Sequence, residues 1–416
     1  MPSDSKHLLV IGKVWPEPAS SAAGRRMMDL LSLFREKGWR VTFASAAERT
    51  PHSANLVEAG IEERSIRMNS ASFDDFLDET RPEAVLFDRF MTEEQFGWRV
   101  AEQCPEAIRI LDTEDLHCLR RARQRAVKQE RPFALADLLA EETAKREIAS
   151  ILRSDLSLII SEAEMELLTG RFGVKDSLLH YLPFLIEPLD EREAAARQPS
   201  FEERKHFVTI GNFRHAPNRD AVRYMEAQIW PRIRRELPET ELQVYGAYPD
   251  RVDRALHNPE QGFHVMGRAD DARAAVGRAR VLLAPLRFGA GLKGKLVEAM
   301  ECGTPSVTTE IGAEGIAGER EWSGAVADEP EAFVAAAVQL YSDTEVWSAA
   351  RDRGFRIINN RFSKEIHRPG LPERIRGLRE RLEEHRLEHF TGRMLMHHSM
   401  ASTRYMSLWI EEKNRG

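Results

Sequence analysis

Between Val281 and Gly303 the sequence VLLAPLRFGAGLKGKLVEAMECG gathers glycines, lysines and a glutamate where an apolar strand gives way to a helix. Gly289, Gly291 and Gly294 remove side chains where a backbone must come close to a ligand. A helix starting there turns unpaired N–H groups and the positive end of its dipole toward the same point, which suits a phosphate. Lys293 and Lys295 add mobile positive charge. Gly291, Lys295 and Glu298 share a stripe at i, i+4 and i+7, while Leu292, Leu296, Ala299 and Met300 supply an apolar side. A carboxylate one turn beyond a phosphate loop repels phosphate but can accept two ribose hydroxyl bonds, so Glu298 points to a nucleotide. The same letters, from Gly289 to Gly294, also satisfy GxGxxG, with Glu310 about 20 residues further on, so a nicotinamide dinucleotide is a competing ligand. Against that competitor, a lysine lies inside the loop and the N-terminal strand HLLVIGK is not followed by such a fingerprint. A tight strand-to-helix turn without a ligand is the plainer alternative.

In open α/β sheets ligands lie beyond the carboxyl ends of strands, which singles out three further places. After the first strand, Gly12 and Lys13 lead to a small-residue run, Ala19 to Gly24, and then to Arg25 and Arg26 at a helix start. That turn can admit an acceptor or a phosphate, or be a surface loop. After IRILD come Thr113, Glu114, Asp115, Leu116 and His117, then Arg120, Arg121, Arg123 and Arg125. A neutral histidine beside carboxylates can orient a hydroxyl, since its ring both donates and accepts. The arginine run is either a solvated helix face or a contact for an anionic acceptor. After HFVTIG come Asn212, Arg214, His215, Pro217 and Asn218, where the planar fork of Arg214 suits phosphate and a local ion pair is the alternative.

These sites need strands and helices to hold them, and the sequence alternates the two. LLVIG, RVTFAS, EAVLFD, IRILD and LSLIIS read as strands, with helices near Gly24 to Lys37 and Ala134 to Leu152. From Leu185 to Lys205 the chain is charged and lacks apolar periodicity. HFVTIG, ELQVYG, FHVMG, RVLLAPL and PSVTT then repeat the pattern, with helices near Ala221 to Leu237 and Gly294 to Cys302. Two parallel-sheet α/β domains follow, over 1–185 and 205–345 with a linker at 186–204. Beyond 345, Leu371 to Met396 and a last segment with Tyr405, Met406, Trp409 and Ile410 read as amphipathic helices packing back on the body, with peripheral membrane or partner contact as the alternative.

The 416 residues are 42% hydrophobic and 31% charged, enough for two packed domains. A net charge of −7 argues against general nucleic-acid binding. Cys104, Cys118 and Cys302 are too widely spaced for a disulfide framework or zinc site, which fits a reducing cytoplasm. No apolar run is long enough to span a bilayer, so membrane contact, where it occurs, is expected to be peripheral to the inner face.

Together APLRFGAGLKGKLVEAMECGTPSVTTEIGAEGI, TIGNFRHAPNRDAV and IISEAEMELLTGRFGVKDSLLHYLPF resemble the GT-B glycosyltransferases, in particular the retaining, nucleotide-sugar-dependent family 4 group. The resemblance covers most of the chain. It implies two Rossmann-like domains facing a cleft, a nucleoside-diphosphate sugar held by the second domain, and a glycan, lipid-linked or other hydroxyl acceptor on the first. No metal or other cofactor is expected. Glu298 matches the ribose-binding second glutamate of the E-x7-E motif, and His117 matches the histidine that contacts the transferred sugar. The first glutamate falls on Ala290, and the usual Arg and Lys after the first strand of the second domain fall on Asn212 and Asn218. Lys293, Lys295 and Arg214 are then expected to hold the diphosphate, with Asn218 beside them and Gly12, Arg25 and Asp115 on the acceptor side. The departures keep open a non-catalytic binding protein on the same fold.

Overall fold

The computed structural model describes residues 6–415. Seven strands form the first sheet: β1 (His7–Gly12), β2 (Arg40–Ser45), β3 (Glu62–Ser65), β4 (Ala84–Asp88), β5 (Ile108–Asp112), β6 (Leu156–Ile159) and β7 (Leu179–Tyr181), in the order β3-β2-β1-β4-β5-β6-β7. Six form the second: β8 (Lys205–Ile210), β9 (Leu242–Tyr245), β10 (Phe263–Gly267), β11 (Ala279–Ala284), β12 (Ser306–Thr308) and β13 (Gly324–Val326), in the order β10-β9-β8-β11-β12-β13. Every pairing within the two sheets is parallel. Strands covered on both faces must be apolar throughout, and β1, HLLVIG, is buried at all six positions.

The strands absent from the sequence reading are edges. β3 is EERS and largely exposed, whereas β7 and β13 are three residues each. An edge strand has one neighbour and less face to bury, so it leaves little apolar signature. The helix expected over 134–152 is two, Leu135–Leu139 and Glu142–Arg153, and the expected linker contains a short helix, Glu191–Arg197.

The chain crosses back after the second sheet. Helix Pro330–Ser342 begins on its proline, and Asp343 caps helix Thr344–Ile357 by accepting from Glu345 and Val346 N–H. Leu371, Ile375, Leu378 and Leu382 then enter the same apolar cluster as Leu8 and Val10 of β1. The terminal helix Phe390–Arg415 lies along helices Phe90–Gln103 and Glu142–Arg153 of the first domain. Its inner side buries Met400, while Phe390, Tyr405 and Trp409 stand exposed. No helix among the described residues is long and apolar enough to cross a membrane.

Each sheet reverses its strand order once, between β1 and β4 and between β8 and β11. A doubly wound sheet opens a crevice at such a point because successive crossovers leave in opposite directions. The loops at these two points, with those after β5 and β9, line one cavity of about 750 Å³.

Candidate functional site

The second domain's wall is built around the loop after β11. Thr308 Oγ1 donates to Ala284 O at 2.8 Å and Thr309 Oγ1 to Leu286 O at 2.6 Å, fixing the strand end. The loop then turns through Gly291 at φ +60°, and helix Gly294–Glu301 begins with Lys293 as its N-cap. Lys293 Nζ donates to Gly291 O at 2.9 Å and lies 3.7 Å from Glu314. Burial lowers its pKa to about 8. Lys295 differs: among the described residues no carboxylate pairs with it, and burial alone brings it down to about 7. Its ammonium sits beside Gly211 at the end of β8, where an added Cβ would lie 2.9 Å from Nζ. Lys295 is thus the unspent cation at the second sheet's reversal. One turn on, burial and Glu301 raise the Glu298 carboxyl while Arg25, 4.0 Å away, lowers it.

Asn218 Nδ2 donates to Asn212 O at 3.1 Å, so the two asparagines brace the turn after β8. The Arg214 guanidinium stacks over Tyr248 at 3.6 Å from the ring centroid, and Tyr248 Oη donates to the Glu17 carboxylate at 2.9 and 3.0 Å. Arg214 therefore stands at the mouth of the cleft on a ring that itself bridges the domains.

On the opposite wall His117 opens helix His117–Lys128, its backbone N–H donating to Glu147 Oε1 at 3.0 Å. Its ring Nε2 lies 3.3 Å from Asp115 Oδ1, and Phe90 packs edge-on against it at 5.6 Å. Burial dominates its titration, lowering the pKa to about 3, so the ring is neutral at physiological pH. A neutral ring that donates to Asp115 keeps its other nitrogen as an acceptor. Asp115 also receives both arms of Arg120, at 2.6 and 3.2 Å, which outweigh its burial and hold it ionised.

The domains meet through buried polar contacts as well. Glu164 Oε1 accepts from Leu116 N–H at 2.9 Å in the first domain and from Gly291 N–H at 2.8 Å in the second. Arg123 donates to Gly289 O at 2.9 Å and to both oxygens of Glu314 at 2.8 and 2.6 Å. Arg25 grips Glu301 at 2.8 and 3.0 Å.

His117, Asp115, Lys293, Lys295, Glu298, Gly289, Gly294, Arg214, Asn218 and Arg25 all line the cavity. Gly12 and Gly291 are not in its lining, and several of the predicted residues have partners within the protein. Gly12 makes room for Phe43, since a Cβ there would fall 2.1 Å from its ring. The close approach at Gly291 is to Asp115, 2.9 Å from an added Cβ, and at Gly294 to Ala22, at 2.4 Å. At both glycines the missing side chain leaves room for the other domain. The Gly291 N–H is spent on Glu164 and the Lys293 ammonium on its own loop. Arg25 is spent on Glu301, and Arg26 is buried against Asp112 and the Leu182 carbonyl.

Of three further cavity residues, only Glu114 was noted in the sequence, in the run before His117. Arg89, Glu114 and Tyr248 are non-glycine residues at φ 70°, 62° and 61°, each just past a strand and each in the cavity wall. Such strain persists only where surrounding contacts enforce it, and it concentrates at working sites. Burial and Asp112 push the Glu114 carboxyl up to about 8. The strand-end rule could have found Arg89 after EAVLFD; nothing local marks Glu164.

Residues 204–343 match the family model described as glycosyl transferases group 1. No curated protein matches the chain by sequence. Among solved structures it is similar to a sucrose-phosphate synthase from Thermosynechococcus elongatus, with TM-score 0.64 and 16% identity over 90% of this chain and 99% of that one. It is similar to HepE of Anabaena, crystallised with UDP and glucose, with TM-score 0.65 and 12% identity over 88% and 98%. It is also similar to WaaG, a glycosyltransferase involved in lipopolysaccharide biosynthesis, with TM-score 0.60 and 16% identity over 89% and 99%. At these identities the likeness is one of fold.

Proposed function

We propose that the chain is a GT-B glycosyltransferase that moves a sugar with retention from a nucleoside-diphosphate sugar to a glycan, lipid-linked or other hydroxyl acceptor, a reading supported by the match of its second domain to the glycosyl transferases group 1 model and by its likeness of fold to glycosyltransferases. The observation that carries this reading is Lys295: a half-buried ammonium without a carboxylate partner, one helical turn before Glu298 and across the cavity from a neutral His117. A diphosphate placed there restores the lysine's charge and receives its attraction in a site where little water competes. Glu298 accepts from the ribose hydroxyls, and Arg214 at the cleft mouth supplies a second cation. His117, kept uncharged by burial, orients a hydroxyl of the donor sugar or acceptor without adding charge.

Transfer forms a bond from the acceptor oxygen to the anomeric carbon and breaks the bond from that carbon to the diphosphate. The acceptor proton passes to a diphosphate oxygen, so no side-chain nucleophile is required. Neighbours of the same fold that bind UDP and UDP-glucose support the donor class. The exposed Phe390, Tyr405 and Trp409 on the terminal helix support peripheral contact with a membrane that carries a lipid-linked acceptor.

The test is a thermal-shift screen against UDP, GDP, their sugar conjugates and NAD. Stabilisation by one nucleoside diphosphate and its sugar, lost in Glu298→Ala, is expected. Binding without transfer or hydrolysis would make the protein a sugar-nucleotide binder, and stabilisation by NAD alone would overturn the donor assignment.

A further inference from the structure

Around the ends of β1, β4 and β5 the first domain's wall gathers four cations, two of which form no ion pair among the described residues. Lys13 follows β1, Arg89 follows β4, and Arg120 and Arg121 lie in the opening turns of helix His117–Lys128; all four line the cavity. Asp115 takes the charge of Arg120, and Asp88 lies 3.5 Å from Arg89. Neither Lys13 nor Arg121 forms an ion pair among the described residues: Lys13 Nζ reaches Met91 Sδ at 3.4 Å and Arg121 Nη1 donates to Thr143 Oγ1 at 2.7 Å. Glu114, on the same wall, offsets them less than an ordinary carboxylate would, because burial and Asp112 raise its pKa. The four cations sense one another: the Lys13 pKa is lowered by burial and then by Arg89, Arg120 and Arg121, against the pull of Asp88.

The neighbouring arginines show that this is not a general habit of the helix. Arg123 has Glu314 and Arg125 has Glu141, each at ion-pair distance, whereas Arg121, on the cavity side, is left unmatched. Gathering like charges around a partly enclosed space costs free energy that a bound anion recovers. The donor diphosphate does not fill this place, since its cation, Lys295, stands on the other wall.

Resting on the transferase reading, we propose that Lys13 and Arg121, with Arg89 beside them, seat a phosphate group carried by the acceptor. The acceptor is then a phosphorylated saccharide or a lipid with a phosphate headgroup, and not a neutral sugar. Phosphate oxygens meet the two open cations directly, and the acceptor's reacting hydroxyl lies toward His117 between the walls.

The experiment uses the full chain saturated with whichever nucleoside diphosphate stabilises it, or the empty chain where none does. Inorganic phosphate is titrated by thermal shift at constant ionic strength against chloride, for the wild type and for the Lys13→Gln/Arg121→Gln double variant. Phosphate is expected to stabilise the wild type, and the variant to bind it about tenfold more weakly while keeping its nucleotide response. Arg121→Lys, which keeps the charge, should restore part of the affinity and guards against a folding defect in the double variant. Cosedimentation with phosphatidylcholine vesicles, with and without phosphatidic acid, separates the sources. Binding that needs phosphatidic acid and is lost in the variant assigns a lipid phosphate; phosphate binding without vesicle binding assigns a soluble phosphorylated sugar. Equal phosphate affinity in variant and wild type, or no response to phosphate or phosphatidic acid in either, overturns the proposal. Failure of every nucleotide with an intact phosphate response would sink the transferase reading and leave the anion seat standing.

Discussion

The two walls of the cleft come from sheets wound the same way, yet they place their cations by different means. On the second domain's wall one contiguous stretch, loop and helix together, carries Lys293, Lys295 and Glu298, and a single ammonium, Lys295, stays unpaired. On the first domain's wall the cations arrive singly from the ends of β1 and β4 and from the helix after β5, and Lys13 and Arg121 stay unmatched. The first arrangement is a motif that a ligand meets as a unit. The second is an assembly, whose specificity lies in which loops the fold brings together. A donor shared by many enzymes suits a portable loop, and an acceptor that differs between them suits a wall that can change one residue at a time.

The comparison breaks most visibly at Lys295. If it is the unspent donor cation, Lys295→Ala lowers turnover on the order of 100-fold, as loss of a preorganised electrostatic donor does. Its melting temperature should hold, because the ammonium has no carboxylate partner to lose. Lys293→Ala should behave the other way, disturbing the loop that Gly291 O and Glu314 share with it. Steady-state rates with the donor that the binding screen identifies decide the matter, and equal turnover in Lys295→Ala and wild type would return the role to Lys293.

A smaller effect is expected at the seam between the walls. Gly291→Ala forces a Cβ to within 2.9 Å of Asp115 Cβ and 3.3 Å of Ile160 Cγ2, at φ +60°. The left-handed conformation alone costs an alanine roughly 1–2 kcal/mol, and the contact adds to it. A melting temperature several degrees lower is expected, with weaker nucleotide binding as a consequence of the displaced loop. An unchanged melting curve would mean that the domains do not press together there in solution.

How much of this was written in the sequence follows the same division. Loop and helix of the second wall were legible because their chemistry is contiguous from Gly289 to Glu298. His117 was legible from its place just past a strand, and the central strands from their unbroken apolar runs. The edge strands β3, β7 and β13 were not, since pairing on one side asks little of their side chains. Nor could spacing say what lies against a glycine: Asp115 packs at Gly291 and Ala22 at Gly294, both from the other domain. Ala290, where the family's first glutamate would stand, packs against the core of the first domain, a contact that only the assembled pair of domains creates. Glu164 carries no local signature, because its meaning arises from residues far away in the chain.

Glu164 offers the finest test, since one carboxylate oxygen holds backbone N–H groups from both walls. Its other oxygen is buried without a partner, and burial raises the pKa to about 8 from an ordinary value of 4.5, against the lowering pull of those two N–H bonds. Between these two values the folded protein holds a proton there that the unfolded chain has lost. Its contribution to stability is therefore fully present below pH 4.5 and is lost as the pH rises through 8. Glu164→Gln keeps an oxygen to accept from Leu116 and Gly291 and removes the titration. Melting temperatures measured from pH 5 to 9 should then fall less steeply in the variant, with the curves converging at the acid end. Glu147, raised to about 7 mainly by burial, leaves a residual slope in both proteins. Parallel curves would show that Glu164 is ionised in the folded state, with its charge fully compensated at the seam, and that the two walls are joined by a carboxylate and not by an acid.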